Sequence, residues 1–222
     1  MKKNFFDPEK IRQQSPWRGN IFFLERVTST NDLLLELAEE GAPEGTMIIA
    51  KEQTRGRGQF HRPWSSPSGM GLWMSLLLRC PIENNNIAPL SQLGPISLFD
   101  TCLAIGIPHV RLQIKPPNDL FLDGKKLAGV LVETRRGKHS FALLGLGLNL
   151  SQCQDDFPPQ LHQQAISLAL AGFGDVSWDY LLGELLDALH ENYLQFAKPN
   201  KLHERWKEIA KLPENRLMEV FK

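Results

Sequence analysis

The stretch TRGRGQFHRPW at residues 54–64 contains three arginines and two glycines, residue types that bind anions when a loop presents them. Arginine guanidinium groups match carboxylate or phosphate oxygens in pairs, and Gly56 and Gly58 let the backbone approach a bound molecule. The spacing GxxxxGK[ST] of a P-loop is absent, so the stretch is not a Walker-type nucleotide site. On these residues alone, the stretch could be either a ligand-binding loop or a solvated basic turn.

A second stretch, KPPNDLFLDGKKLAGVLVE at residues 115–133, combines polar side chains with a predicted hairpin. Its Asp-Gly pair is typical of a tight turn between two apolar strands. Asn118 and Asp119 lie where the first strand begins, and Lys125 and Lys126 open the second strand. Because strand side chains alternate between faces, only one of the two lysines can share the face of the inward leucines. The other lysine is expected to be solvated.

A third stretch, LGLGLNL at residues 144–150, places two glycines at alternate positions of a predicted strand. The glycines leave a smooth surface against which a flat ring could lie, and Asn149 could bind an adenine or a carbonyl. The stretch does not extend to GxGxxG, so it is not a dinucleotide-binding fingerprint. A tight crossing within the sheet explains the glycines equally well.

The chain has 222 residues, with 25 Lys or Arg balanced by 25 Asp or Glu, so its formal net charge is zero. This argues against a general nucleic-acid coat protein, which needs a basic excess to displace counterions. The hydrophobic content of 42% is that of a packed domain. The N-terminus lacks a signal-peptide pattern and no apolar run approaches about 18 residues, so we expect a cytoplasmic protein that binds no membrane. Cys80, Cys102 and Cys153 are widely spaced, and we expect them to be reduced and packed.

Apolar patterns predict the elements that position these stretches. Strands are predicted over 21–27, 46–52, 71–79, 110–115, 119–134 (a hairpin) and 139–150, and helices over 28–42, 87–105, 179–196 and 203–211. Ser29 to Asn31 are expected to supply N-cap chemistry for the first helix. The pattern predicts an α+β fold with a mixed central β-sheet flanked by helices. We expect a polar leader at 1–19, one domain over 20–210 and a C-terminal tail at 211–222.

In order and spacing, these stretches resemble the catalytic domain of biotin protein ligases. The matching pieces are TSTN (28–31), QTRGRGQFHRPWSSPSGMGLWMSL (53–76), KPPNDLFLDGKKLAGVLVE (115–133) and LLGLGLNL (143–150). The resemblance implies a fold related to lipoate ligases and class II aminoacyl-tRNA synthetase cores. It also implies a two-step reaction. The carboxylate of biotin attacks the α-phosphorus of ATP to give biotinyl-5′-AMP and pyrophosphate, and a lysine of a carrier domain then attacks the mixed anhydride.

By the same resemblance, biotin, ATP and Mg²⁺ are expected at residues of these motifs. Lys126 and Arg57 would be catalytic, because cationic groups offset the repulsion between a carboxylate and a triphosphate. Asp119 would be a metal ligand. The residues expected to bind biotin are Ser29, Thr30, Asn31, Gln53, Arg57, Gly58, Gln59 and Lys126. The residues expected to bind ATP or the adenylate are Gly56, Arg57, Trp64, Lys115, Asn118, Asp119 and Asn149.

Three residues depart from the family pattern. Gln59 stands where many members have an arginine, His61 where glycine is usual, and Pro116 where tryptophan is common. The first two bear on how tightly the adenylate is held before transfer. We interpret His61 as a surface residue and not as a catalytic one.

The resemblance implies a biotin carboxyl carrier protein, such as an acetyl-CoA carboxylase subunit, as the partner, and a monomer or weak homodimer as the oligomeric state. Few residues precede the first motif, so we expect neither the helix-turn-helix module of some members nor DNA binding. The chain ends about where the C-terminal β-barrel domain of most members begins, so we expect that domain to be missing. A lipoate or octanoate ligase or transferase, a non-catalytic biotin-binding module and a nucleic-acid-binding protein are the alternatives.

Overall fold

The computed structural model describes residues 5–79, 88–136, 140–196 and 199–210 of the chain. The strands are β1 (Ile21–Val27), β2 (Met47–Gln53), β3 (Gly71–Leu78), β4 (Leu112–Lys115), β5 (Asp119–Leu122), β6 (Lys125–Arg135) and β7 (Phe141–Asn149). The helices are α1 (Pro8–Gln14), α2 (Thr30–Glu39), α3 (Ala88–Ala104), α4 (Trp178–Phe196) and α5 (Pro199–Ala210). The predicted strands and the four predicted helices are confirmed within the described residues, with shifted ends. The predicted tail at 211–222 lies outside those residues.

The strands form one seven-stranded sheet in the order β1-β2-β3-β7-β6-β5-β4. β1 and β2 run parallel, whereas every other neighbouring pair runs antiparallel. The predicted α+β class with a mixed sheet is therefore confirmed. Within the described ranges, no helix combines the length and apolar character needed to span a bilayer.

One side of the sheet, which we call the core face, is apolar along the central strands. Leu72 and Met74 of β3 and Leu146 and Leu148 of β7 belong to this face and are at most 3% exposed. They pack with residues of α1, α3, α4 and α5 in the main hydrophobic core. Burial of this side against the helices is the main source of stability.

The opposite side of the sheet, which we call the site face, is covered by a helix at one end alone. There Leu34 of α2 packs against Ile48 of β2, Leu77 of β3 and Leu143 of β7 in a smaller core. Beyond α2, the same face carries Trp73 and Ser75 of β3 and Gly147 of β7, and part of the loop between β2 and β3 lies over Gly147. This part, residues 54–64, we call the arginine loop.

The prediction of a polar leader before residue 20 is wrong. Residues of this segment form α1, whose N-cap residue Asp7 accepts hydrogen bonds from the backbone of the first turn. Phe6, Ile11 and Trp17 are at most 8% exposed, and Nε1 of Trp17 donates to the carbonyl oxygen of Leu186 at 3.0 Å. The helix is too short for its one buried residue to produce a helical period, so the sequence pattern did not indicate it.

The predicted Asp-Gly hairpin joins β5 to β6, with φ of 51° at Asp123 and 74° at Gly124. These positive values are those required by a two-residue turn with the twist of the strands. The pairing contains a β-bulge: Leu120 is opposite Ala128 and Phe121 is opposite Lys126, so Leu127 is the extra residue. The bulge is important for the site because it changes which side chains of β6 share a face.

The cysteine prediction holds in part. Cys102 is free and buried, and burial raises the pKa of its thiol to about 12. Cys153 is free but exposed, so its predicted packing role is wrong. Cys80 lies outside the described residues.

Candidate active site

Two opposed glycines on neighbouring strands create a flat area on the site face. Gly129 of β6 is paired with Gly147 of β7. The indole of Trp64 lies on them: a Cβ added to Gly147 would be 2.4 Å from its Nε1, and one added to Gly129 would be 3.0 Å from its Cζ3. Nε1 of Trp64 is buried and has no hydrogen-bond acceptor among the described residues. The arginine loop therefore supplies the flat ring that the glycines accommodate, with the ring nitrogen buried against the sheet.

Neutral hydrogen bonds connect the end of β2 and the middle of β3 to the first turn of α2 on the site face. Oε1 of Gln53 accepts from the backbone N–H and the hydroxyl of Thr30, at 2.9 and 3.0 Å. Nε2 of Gln53 donates to Oγ of Ser66 at 2.9 Å. Oγ of Ser75 lies 2.7 Å from Oγ1 of Thr30 and 2.5 Å from Oδ1 of Asn31. The structure thus brings together three residues predicted to bind biotin: Thr30, Asn31 and Gln53.

Sequence reasoning missed Ser75, the central residue of this network. Ser75 has no exposed surface and carries the only hydroxyl in the β3 run GLWMSLLL. A lone hydroxyl in a buried strand needs a partner, because an unpaired buried polar group is costly. That signal was available in the sequence, although it does not say which residues are the partners.

Arg57 links α2 to β6 through two carboxylates that sequence reasoning also missed. Its Nη1 is 2.6 Å from Oδ1 of Asp32, and its Nη2 is 3.1 Å from Oε2 of Glu133. Oε2 of Glu133 also accepts from Nδ2 of Asn31 at 2.6 Å. Burial alone would lower the pKa of Arg57, but the hydrogen bond to Asp32 and the charge of Glu133 raise it above its usual value. The guanidinium is therefore a permanent cation in contact with the neutral network.

The second cation of the site is Lys126, which lies on the opposite face of the sheet from the inward leucines of the hairpin. Its Nζ is 2.8 Å from Oδ1 of Asp119 and 5.2 Å from the ring centroid of Trp64. The backbone of Lys126 is fixed by hydrogen bonds with Gln164 and Ile166. Because of the bulge, Lys126 shares a face with Gly129, three residues further on, which regular alternation does not allow. The ammonium group and the indole thus occupy the same region of the site face.

The arginine loop is a closed turn held by its own backbone. The N–H of Gly58 donates to the carbonyl of Arg62 at 2.8 Å, and the N–H of Trp64 donates to the carbonyl of Gly56 at 2.8 Å. A Cβ added to Gly56 would be 2.6 Å from the carbonyl oxygen of Trp64, so the closed turn requires glycine there. Phe60 lies near the tip of the loop, 82% exposed and with φ of 56°.

The other loop side chains point to different environments. Arg55 and Arg62 are exposed, which confirms that Arg55 is solvated. The Arg62 guanidinium lies 5.9 Å from the ring centroid of Phe60. Gln59 is half-buried, and the side chain of His61 is outside the described part of the chain.

Four of the predicted ligand-binding residues are engaged in other ways. Both amide atoms of Asn149 are used inside the chain, Nδ2 by the carbonyl of Ile166 and Oδ1 by Gln152. Nδ2 of Asn118 donates to the carbonyl of Val130 on the neighbouring strand. Ser29 is buried at the N-cap of α2, where its side chain makes no capping hydrogen bond. Lys115 is exposed, and its Nζ lies 5.2 Å from the ring centroid of Phe121.

These contacts decide between some of the earlier interpretations. The N-cap role of the Ser29 side chain is wrong, because the hydroxyl makes no capping hydrogen bond. The amide of Asn149 makes hydrogen bonds within the protein, which supports a structural role for this residue. Its contact with adenine stays a prediction. The ligand roles of Ser29, Lys115 and Asn118 also stay predictions.

Asp119 is the site residue that was predicted to bind a metal. Among the described residues, no group of three or more His, Cys, Asp or Glu side chains is arranged to hold a metal ion. Asp119 offers one carboxylate, and Nζ of Lys126 already contacts it. One carboxylate is compatible with Mg²⁺, which usually keeps several waters and is bound by one or two carboxylates together with substrate phosphates. It is not compatible with a metal site built from protein ligands alone.

Comparison with known proteins points to one family. Residues 23–149 match the model of the Biotin/lipoate A/B protein ligase family. The bifunctional ligase/repressor BirA of Bacillus spizizenii is 32% identical over 179 residues, which cover 80% of this chain and 54% of the relative. The biotin–[acetyl-CoA-carboxylase] ligase of Mycobacterium tuberculosis is 29% identical over 202 residues, 87% of this chain and 73% of the relative. The chain therefore spans about half the length of the first of these relatives and nearly three quarters of the second.

A solved structure supports the same assignment of the fold. The biotin protein ligase of Aquifex aeolicus in complex with biotin and ATP is similar to this chain with a TM-score of 0.67 and 30% sequence identity. The similarity covers 80% of this chain and 71% of that one.

Proposed function

This chain belongs to the biotin/lipoate A/B protein ligase family, and we propose that it is an ATP-dependent biotin–protein ligase. The observation that carries the proposal is the juxtaposition of a neutral hydrogen-bond network with two cations on one face of the sheet. A neutral ureido ring needs paired donors and acceptors without charge, whereas the reacting carboxylate and phosphates need positive charge. The site face offers the first at Thr30, Asn31 and Gln53 and the second at Arg57 and Lys126.

In the first step, a carboxylate oxygen of biotin attacks the α-phosphorus of ATP. The bond between the α-phosphorus and the bridging oxygen breaks, so that pyrophosphate leaves and biotinyl-5′-AMP forms. Arg57 and Lys126 are placed on the same face to offset the repulsion between the two anions. The indole of Trp64 lies on the glycine pair, 5.2 Å from Nζ of Lys126, and the adenylate would be in contact with this ring.

In the second step, a lysine amine of a carrier protein attacks the acyl carbon of the adenylate. An amide bond forms, AMP leaves with the bonding electron pair, and the amine loses a proton. The Mycobacterium tuberculosis relative is named for acetyl-CoA carboxylase as its acceptor, and we propose a biotin carboxyl carrier domain of this kind as the partner here. We expect no DNA binding, and a monomer or weak homodimer as the oligomeric state.

Mg²⁺ is expected to enter with ATP and, when bound, to neutralise part of the triphosphate charge. We propose that Asp119 contributes a ligand. Its contact with Lys126 keeps the carboxylate beside the ammonium group that is proposed to meet the α-phosphate. The protein's own contribution is thus to orient the two anions and hold two cations near them.

The test is biotin-dependent exchange of pyrophosphate into ATP, followed by transfer of biotin to a purified carrier domain. We expect both activities with biotin and neither with lipoate or octanoate. Activity with lipoate alone would replace this proposal with the lipoate alternative. Binding of biotin without exchange would favour a non-catalytic module.

The Lys126→Ala variant tests the proposed catalytic role of Lys126. Removal of the positive charge at the phosphorus centre is expected to reduce exchange about 100-fold or more, while the melting temperature changes little. Lys125→Ala is the control, because Lys125 is paired with Leu122 at the turn end of the hairpin, one residue away. Equal losses in the two variants would show that the assignment of Lys126 is wrong.

A further inference from the structure

We infer that Asp32 is a displaceable counterion of Arg57, which the anionic group of the substrate replaces, whereas Glu133 stays bound to the guanidinium and positions it. The inference rests on the proposed function, because that function supplies the anion: first the carboxylate of biotin and then the phosphate of the adenylate. It adds two residues, Asp32 and Glu133, to which the resemblance assigned no role.

The geometry distinguishes the two carboxylates that share Arg57. Glu133 lies on β6, an interior strand of the sheet, and Oε2 accepts hydrogen bonds from both Arg57 and Asn31. Its side chain is 32% exposed. Asp32 lies in the first turn of α2, with a side chain that is 43% exposed. Among the described residues, the side chain of Asp32 has a single hydrogen-bonding or ion-pairing partner, which is Arg57.

These differences determine which contact is exchanged. Displacement of Glu133 would leave Nδ2 of Asn31 without its acceptor and so disturb the neutral network beneath it. Displacement of Asp32 returns an accessible carboxylate to water, where it is well solvated. An anionic ligand that binds Nη1 of Arg57 must replace Asp32, because two anions cannot share that nitrogen without repulsion.

The charge of the site supports the same conclusion. Arg57 and Lys126 are faced by the carboxylates of Asp32, Glu133 and Asp119. With all five groups ionised, the cluster carries one net negative charge and would repel an incoming carboxylate. Removal of Asp32 from the cluster makes it neutral without altering either cation.

The experiment compares Asp32→Asn with the unchanged chain by calorimetric titration with biotin and with biotin methyl ester. The ester keeps the ring system but has no negative charge. We expect Asp32→Asn to bind biotin about three- to fivefold more tightly, which is the value of a partly exposed ion pair, and to bind the ester with unchanged affinity. Glu36→Gln removes an exposed carboxylate one turn further along α2, and it is expected to leave both affinities unchanged.

Glu133→Gln is expected to act in the opposite direction. A glutamine oxygen at the Oε2 position can still accept from Asn31 and Arg57, but the amide nitrogen replaces Oε1 and faces Nη2 of Arg57 as a second donor. With that contact and the negative charge lost, the guanidinium is held less firmly. In pyrophosphate exchange we expect this variant to raise KM for biotin about tenfold and to lower kcat, because a charged partner has been removed from a pair that is two-thirds buried. Asp32→Asn is expected to lower KM and leave kcat unchanged. If both carboxylates had only structural roles, the two substitutions would not be expected to change KM for biotin in opposite directions.

Three results would overturn the inference. These are a weaker or unchanged affinity for biotin in Asp32→Asn, an equal gain for the methyl ester, or a Glu133→Gln variant that behaves like Asp32→Asn. Absence of biotin binding by the unchanged chain would instead contradict the proposed function, and the inference with it. Biotin binding without exchange would contradict ligase activity but leave the titration comparison decisive.

Discussion

Neighbouring residues of β7 show how the two faces of the sheet differ. Leu148 is 1% exposed and belongs to the core packed against the helices, whereas Gly147 points to the site face, where the Trp64 indole covers it. The same alternation separates Met74 from Ser75 in β3. A strand with one side buried in the core and the other at the site divides stability from chemistry residue by residue. Substitutions on the two faces should therefore change different observables.

The largest effect on stability is expected at the core face. Leu148→Ala removes a fully buried side chain and leaves a cavity, which should lower the free energy of unfolding by about 3 kcal/mol. The biotin affinity of the molecules that remain folded should not change. Denaturant unfolding and calorimetric titration measure the two quantities separately. A clear loss of affinity at unchanged stability would contradict the division between the faces.

Gly147→Ala makes the corresponding change on the site face. The new Cβ would be 2.4 Å from Nε1 of Trp64, so the indole has to move off the sheet and change its position relative to Lys126. We expect pyrophosphate exchange to fall about tenfold, because a shift of about 1 Å in an active site costs at least that much. The control is Gly183→Ala in α4, where an added Cβ meets nothing within 4 Å. It should raise the melting temperature slightly and leave exchange unchanged.

Ser75→Ala tests the neutral network. Its loss leaves Oδ1 of Asn31 without that donor, and we expect a decrease of about 1 kcal/mol in the free energy of unfolding. KM for biotin should rise several-fold, because Asn31 and Thr30 each lose one of the contacts that hold them in place. The test is to measure the free energy of unfolding and KM for biotin on the same preparation of the variant. A variant with reduced stability and normal KM would place Ser75 with the core residues.

The smallest effect is a pH dependence of stability caused by Asp100 of α3, one of the helices packed on the core face. Burial raises the pKa of Asp100 above its ordinary value, although Asn192 and Arg205 oppose this. The folded state therefore keeps a proton that the unfolded state has lost. The resulting stability is complete below the unfolded pKa of about 3.9 and is lost as pH rises through the folded pKa. We expect the melting temperature of the unchanged chain to fall relative to Asp100→Asn as pH increases above about 4. A constant difference across that range would contradict the raised pKa.

Local patterns in the sequence were sufficient for the elements that carry the site. Leucines at helical spacing, alternating apolar runs and the Asp-Gly turn each indicate one element, because each depends on neighbours in the chain. The hydroxyl of Ser75 in an apolar strand was a further local signal. The motif order led to Arg57 and Lys126, and the structure places both on one face of the sheet.

Contacts between distant segments were not accessible in the same way. Arg57 and Glu133 are 76 residues apart, and their pairing depends on how the arginine loop lies across β6. Asn149 was interpreted as a ligand-binding residue because its type suits adenine, although its amide atoms are used by Ile166 and Gln152. In α1 the apolar residues are too few to form a period. The partners of Arg57, Asn149 and the α1 residues have one thing in common: they are set by the tertiary structure and not by neighbours in sequence.

The bulge at Leu127 also has a consequence for how this hairpin can change in evolution. Strand β6 places Ala128 opposite Leu120 and Lys126 opposite Phe121, with the extra leucine between them. A descendant that lost Leu127 could keep both of these pairs, and its lysine would still face Trp64. The length of the hairpin can thus vary by one residue without moving the positive charge to the other side of the sheet. Natural insertions and deletions at this point are therefore more permissible than in a regular strand, where each one would exchange the two faces.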